Sequence, residues 1–163
     1  MDKPRVLIVM GSGNDLPVME EASKVLSELG VSSRMHVASA HRTPEKAAKL
    51  ASGAQSEGAM VIIAGAGCAA HLAGAMAANS MLPIIGVPLD ASSLSGIDSL
   101  LSTVQMPAGL PVATVAIGKA GARNAGILAA QIIALSDGAL AQKLADFRKR
   151  MAEKVEAADK NLR

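Results

Sequence analysis

Short apolar runs alternate along this chain with stretches of helical period, and that alternation leaves it few folds to adopt. Val6-Leu7-Ile8-Val9-Met10 and Met60-Val61-Ile62-Ile63-Ala64 are the clearest runs. The pattern is the signature of right-handed βαβ units and of a parallel sheet covered by helices on both faces. Strands are expected near residues 5–10, 33–38, 60–64, 83–88 and 112–117, with helices in the gaps.

The helices carry their own start signals. Asp15 is the expected N-cap of the first, with Pro17 in its first turn and Leu16, Met19, Val25, Leu26 and Leu29 on an apolar stripe. Thr43 as cap and Pro44 at the first helical position open the second. A third is expected from Ala69 to Ser80, and an Ala-rich one from Ala120 to Leu135. Between Leu89 and Pro111 the chain is Ser-rich and contains a Gln105-Met106-Pro107-Ala108-Gly109 turn, so it reads as a long functional or flexible connection. After a break at Ser136-Asp137-Gly138, a last helix aligns Leu140, Leu144, Phe147, Met151 and Val155 on one face. The chain therefore reads as a single domain over 1–163, with an α/β core over 1–135 and a C-terminal helix over 138–160. That helix either packs on its own sheet or is donated to a neighbouring subunit.

Composition removes several classes of function. A chain of 163 residues, half of them hydrophobic, can bury about two thirds of its unfolded surface. With one Phe and neither Trp nor Tyr it has no aromatic platform for stacking nucleic-acid bases or a flavin ring. A net charge of +2 is too small to neutralise many phosphates of a polymer, but it suits a single phosphorylated metabolite. One cysteine forms no internal disulfide, which fits the cytoplasm, and no signal peptide is expected. Residues 59–78 approach the length of a membrane span, yet the glycines after Ala64 and His71 in the middle argue for a strand, a turn and a helix instead.

Polar chemistry collects at three strand-to-helix turns. These are Gly11-Ser12-Gly13-Asn14-Asp15, Ser39-Ala40-His41-Arg42-Thr43-Pro44 and Gly65-Ala66-Gly67-Cys68-Ala69-Ala70-His71. If the strand order is 2-1-3-4-5, all three flank the point where the order reverses, the usual ligand crevice of such sheets. Helix N-termini there suit a phosphate. Hydroxyl, imidazole and guanidinium within four residues suit an anion held beside a proton-transfer group. Each residue also has a plainer job: Ser12 and Asp15 can simply cap a helix, His71 can be a satisfied polar group, and His36, inside a strand, is read as structural. His41 falls in neither a capping nor a periodic position.

Other chemistries fit less well. Gly65-x-Gly67-x-x-Ala70 with Asp90 twenty residues on matches a dinucleotide fingerprint, but the chain is too short for that fold plus a substrate domain. The histidines at 36, 41 and 71 lack metal-ligand spacing, Cys68 has no nearby partner, and Gly-x-Ser-x-Gly is absent. General acid–base chemistry on a small phosphorylated ligand remains.

Several motifs, in order and in register from about Arg5 to Leu135, then carry a resemblance. Met10-Gly11-Ser12 with Asp15, Ser39 to Pro44, Ala64-Gly65-Ala66-Gly67 with Ala69-Ala70-His71-Leu72, Leu82-Pro83 with Gly86-Val87-Pro88, and Gln105-Met106-Pro107 together resemble the 5-(carboxyamino)imidazole ribonucleotide mutases of purine biosynthesis. The resemblance implies a homo-octamer of flavodoxin-like αβα subunits that moves a carboxylate from the exocyclic nitrogen to carbon-4 of an aminoimidazole ribonucleotide, without cofactor or metal. It implies that His41 shuttles the proton and that Ser12, Asn14 and Asp15 bind the ribonucleotide. Ser39 and Arg42 would hold its phosphate, while Gly67, His71 and Leu72 would close on base and carboxylate. Asn14, Cys68 and Ala73 depart from the family pattern, which has Ser, Gly and Pro there. Arg42 and the Gly65 turn separate the chain from related animal-type carboxylases that use free carbon dioxide. The alternative is a non-catalytic sugar-phosphate-binding or assembly protein of the same fold.

Overall fold

The computed structural model describes residues 3–162; residues 1, 2 and 163 of the expected single domain lie outside the described residues. Five parallel strands, β1 (Val6–Met10), β2 (Ser33–Val37), β3 (Val61–Ala66), β4 (Ile84–Pro88) and β5 (Ala113–Thr114), form one sheet in the order β2-β1-β3-β4-β5. Between and after them run α1 (Leu16–Glu28), α2 (Pro44–Gly53), α3 (Leu72–Asn79), α4 (Ile97–Val104), α5 (Gly118–Ala134) and α6 (Gly138–Lys160).

The continuous apolar character of β1, β3 and β4 follows from burial on both faces. Alternate side chains supply two cores. Val6, Ile8, Ile63 and Ile85 pack with Met19 and Leu26 of α1 and with Ala125, Ala129 and Ile133 of α5. Leu7, Val9, Ile62 and Ile84 face Ala47 and Ala51 of α2 and Leu72 and Met76 of α3. Each such aliphatic side chain, fully buried, stabilises by about 1.5–3 kcal/mol, so a one-residue slip of a central strand would exchange its two faces at large cost. On α1 the expected stripe holds for Met19, Val25, Leu26 and Leu29, whereas Leu16 is 47% exposed and Ala22 takes a buried place.

The segment 89–111 corrects the sequence reading, because it contains α4. Its buried face is polar: Ser99 Oγ donates to the carbonyls of Leu89 and Gly96 at 2.8 and 2.9 Å, and Thr103 Oγ1 to that of Ser99 at 2.7 Å. Of its four apolar residues, Leu100 is partly buried but Ile97, Leu101 and Val104 are about half exposed, so most of the hydrophobic pattern points away from the core. β5 is shorter than the expected 112–117. Val115 still donates to Gly86 O at 3.1 Å, but Ala116 and Ile117 then leave the sheet to start α5, whose Gly121 lies against the Ala116 carbonyl. The third helix begins at Leu72 rather than Ala69, since residues 68–70 turn, with Ala70 N–H donating to Cys68 O at 2.9 Å. Residues 59–78 divide between β3 and α3, and no helix among the described residues is long and apolar enough to cross a membrane.

Asp137 caps α6, accepting from the Leu140 amide at 3.1 Å, and pairs with Arg5 at 2.8 Å beside the start of β1. The Arg5 guanidinium, then the Leu140 amide, hold its carboxyl below the usual range. Leu140 and Phe147 of α6 are buried and Leu144 packs beside them, while Met151 and Val155 are 54% and 69% exposed. The apolar row therefore packs on the rest of its own chain for about half its length.

Candidate active site

The carboxyl ends of β1, β2 and β3 converge on one cavity of about 430 Å³, at the point where the strand order reverses. All nine residues singled out in the sequence line it: Ser12, Asn14 and Asp15 after β1, Ser39, His41 and Arg42 after β2, and Gly67, His71 and Leu72 after β3.

The β1 turn is held by a reciprocal cap. Ser12 Oγ accepts from the Asn14 amide at 3.3 Å and Asp15 Oδ2 accepts from the Ser12 amide at 2.9 Å, closing a single turn of 3₁₀ helix over Gly13–Asp15. The capping role expected of Asp15 is thus exercised on Ser12 and not on α1, where its side chain makes no capping bond. Asp15 is only 9% exposed. Burial pushes its carboxyl above the usual range, opposed by the Ser12 amide and by the charge of Arg42. A partly desolvated acceptor in the wall of this cavity is suited to receiving hydroxyl donors from a ligand.

The β2 turn is closed by Thr43, which also departs from its expected cap role. Thr43 Oγ1 accepts from Ser39 N–H at 2.9 Å and donates to Ser39 O at 3.1 Å, leaving Pro44 to start α2. Ser39 Oγ accepts from the Arg42 amide at 3.2 Å, and Arg42 Nη2 reaches Gly11 O at 3.5 Å, so one guanidinium spans the first two turns. His41 is left on the outside of this tight loop, exposed, facing His71 with ring centroids 5.6 Å apart and planes at 51°. His71 is the N-cap residue of α3 yet makes no side-chain capping bond. Neither imidazole has a hydrogen-bond partner among the described residues. His36 lies within the edge strand β2 and does not line the cavity.

The β3 turn requires small residues. A Cβ at Gly67 would lie 2.7 Å from the Cβ of Ala91, which enters the cavity wall from the carboxyl side of β4. Cys68, next along, is exposed, lines the same cavity and adopts φ +55°, the left-handed region that favours glycine. The sequence placed Cys68 in the third of the crevice turns, whereas Ala91 was missed as a lining residue. For Ala91 the only available signal was its place just beyond a strand's carboxyl end.

Fold and site together define a class: a doubly wound α/β protein that gathers hydroxyl, guanidinium, carboxylate and two imidazole groups around one cavity at the carboxyl ends of its strands. The chain belongs to the AIR carboxylase family, whose model matches residues 5–154. It is 53% identical over 151 residues to the N5-carboxyaminoimidazole ribonucleotide mutase of Haemophilus influenzae, covering 93% of this chain and 92% of that protein. A relative of the same name from Brucella melitensis is 54% identical over 150 residues, covering 92% and 93%. The crystal structure of Treponema denticola PurE superposes with a TM-score of 0.88 at 27% identity, covering 98% of this chain and 99% of that one.

Proposed function

We propose that this protein is a mutase of purine biosynthesis that converts 5-carboxyaminoimidazole ribonucleotide to 4-carboxy-5-aminoimidazole ribonucleotide, with His41 as general acid and base. The observation that carries this reading is that exposed His41 lines one cavity together with Ser39, Arg42 and the buried Asp15. The relatives' names supply the reaction.

The chemistry balances with one imidazole. The bond between the exocyclic nitrogen and the carboxyl carbon breaks, the nitrogen takes a proton from protonated His41, and carbon dioxide stays in the cavity. Carbon-4 of the electron-rich imidazole attacks that carbon dioxide, and neutral His41 removes the proton displaced there, which restores its starting state. Holding both fragments together replaces a bimolecular encounter, and such orientation supplies roughly 7–11 kcal/mol of barrier reduction at best. In this reading Arg42, Ser39 and Ser12 bind the phosphate, Asp15 with Asn14 the ribose, and Gly67, His71 and Leu72 the base and carboxylate. No step calls for a metal or cofactor.

The same reading makes the protein a cytoplasmic homo-octamer. Its support is the amount of apolar surface one subunit leaves bare: Leu94, Ile97 and Leu101 around α4, Met151 and Val155 on α6, and Met81 at 96% exposure.

The deciding experiment supplies the carboxyamino ribonucleotide without added bicarbonate and follows the carbon-4 carboxylate. Turnover is expected. Inactivity on that substrate, with activity on the uncarboxylated ribonucleotide plus carbon dioxide, would assign the chain to the carboxylase reaction instead.

A further inference from the structure

The Gln105-Met106-Pro107 turn has no place in the site as described so far, although it lies within reach of it. Met106 packs against α3 at Gly74, three residues after His71 and so on the same helix face. A Cβ built on Gly74 would be 3.1 Å from Met106 Sδ, 3.3 Å from Met106 Cε and 3.7 Å from His71 Cδ2. The missing side chain is thus a notch shared by the thioether and the edge of the His71 ring.

The turn that delivers Met106 is well anchored. Its amide donates to Val104 O at 3.0 Å, the amide of Gln105 donates to Leu101 O at 3.3 Å, and that of Leu110 closes onto Pro107 O at 3.3 Å. Met106 is partly buried, whereas His71 is exposed and its ring has no hydrogen-bond partner among the described residues. Packing, not hydrogen bonding, therefore sets the ring's place. A thioether near a ring edge is a favourable contact at about 5 Å from the ring.

We propose that Met106 is a positioning residue for the reaction: seated in the notch at Gly74, it sets the position of the His71 ring opposite His41. The inference rests on the mutase reading, in which His71 closes on base and carboxylate. It ties the loop between α4 and β5 to the cavity without contact between Met106 and substrate.

The test compares Gly74→Ala, Met106→Ala and the double variant. Gly74→Ala fills the notch and displaces the thioether, and Met106→Ala empties it. Each is expected to lower kcat about tenfold, within the hundredfold that a displacement of about 1 Å can cost, with KM within about twofold. In the double variant the alanine methyl occupies the vacated space, so kcat recovers toward wild type. Gly74→Ala keeps the Met106 side chain and replaces a helical glycine by a better helix former, which offsets the displaced packing, so it tests the same contact should Met106→Ala fail to fold.

A readout independent of turnover uses ¹³C-histidine-labelled protein, where three histidines give three ring Cδ2–H signals. The His71 signal is expected to move in both single variants while that of His36 stays. A wild-type kcat in Gly74→Ala and Met106→Ala, or an unmoved His71 signal, overturns the positioning role and leaves the mutase function standing. Absence of turnover in the unaltered protein overturns the function itself.

Discussion

Replacing Cys68 by glycine should make the protein more stable. Cys68 holds φ +55° on an exposed turn, so its side chain contributes little burial while its Cβ crowds the backbone. A β-carbon in left-handed backbone costs roughly 1–2 kcal/mol. Against that, glycine gives the unfolded chain more freedom, worth about 0.4–1 kcal/mol. The net expectation is a gain of about 0.5–1 kcal/mol, which in a chain of this length raises the melting temperature by about 1–4 °C. Differential scanning calorimetry under reducing conditions measures this, with Cys68→Ala as the control. Alanine removes the thiol but keeps the β-carbon, so its melting temperature should stay at the wild-type value. A rise in Cys68→Ala equal to that in Cys68→Gly would assign the effect to the thiol, and no rise in Cys68→Gly would refute backbone strain as its source.

Five further variants probe the site and the last helix. His41→Asn should bind the ribonucleotide normally by calorimetry yet turn over at least about a hundredfold more slowly, and near wild-type turnover would remove His41 from the mechanism. Arg42→Leu should weaken the phosphorylated ligand by about 2 kcal/mol while sparing its nucleoside; equal losses would make Arg42 structural. Burial raises the Asp15 carboxyl above 3.8, so between that pH and its raised value the native state binds more protons than the unfolded one. Stability on this account falls as pH rises through that window, and Asp15→Asn should flatten the trend in urea midpoints, be more stable at pH 7, and bind ligand less well. Phe147→Ala should cost about 3–5 kcal/mol by thermal or urea unfolding, since its ring is 9% exposed. Met151→Glu with Val155→Lys should change subunit stability by less than about 0.5 kcal/mol but reduce the assembly seen in sedimentation.

The sheet was legible because its information is local. Val6 to Met10, Val61 to Ala66 and Ile84 to Pro88 are continuous apolar runs, and a helix between successive strands leaves a parallel order as the simple solution. α4 was not legible, because its inward residues Ser99 and Thr103 satisfy their hydroxyls on backbone carbonyls, and a Ser-rich stretch reads as a loop until those partners are known. The C-terminal row was legible as a helix face but not in what covers it. Leu140, Leu144, Phe147, Met151 and Val155 share one face by period, but period alone does not say where the underlying α5 ends. The cavity residues were legible as a set because polar side chains at three successive strand ends must meet in a doubly wound sheet. What each one bonds to was not. Thr43 and Asp15 both look like helix caps in the sequence, yet they secure Ser39 and Ser12, the hydroxyl-bearing residues at the rim.

Departures from local preference gather at one end of this sheet, and that clustering locates function without recourse to relatives. Asp15 is a carboxylate kept at 9% exposure with its charged form penalised, where a cap needs only an exposed one. Cys68 accepts left-handed backbone, and two imidazoles stand 5.6 Å apart without hydrogen-bond partners among the described residues. At the opposite end of the sheet, Asp137 is paired with Arg5 and caps α6, so burial and charge are satisfied together. A chain under selection for stability alone would relieve the first group as readily as it has arranged the second. The strained groups persist where the strands' carboxyl ends leave space for a ligand, and a ligand bound there would supply the hydrogen-bond partners that the two imidazoles lack among the described residues.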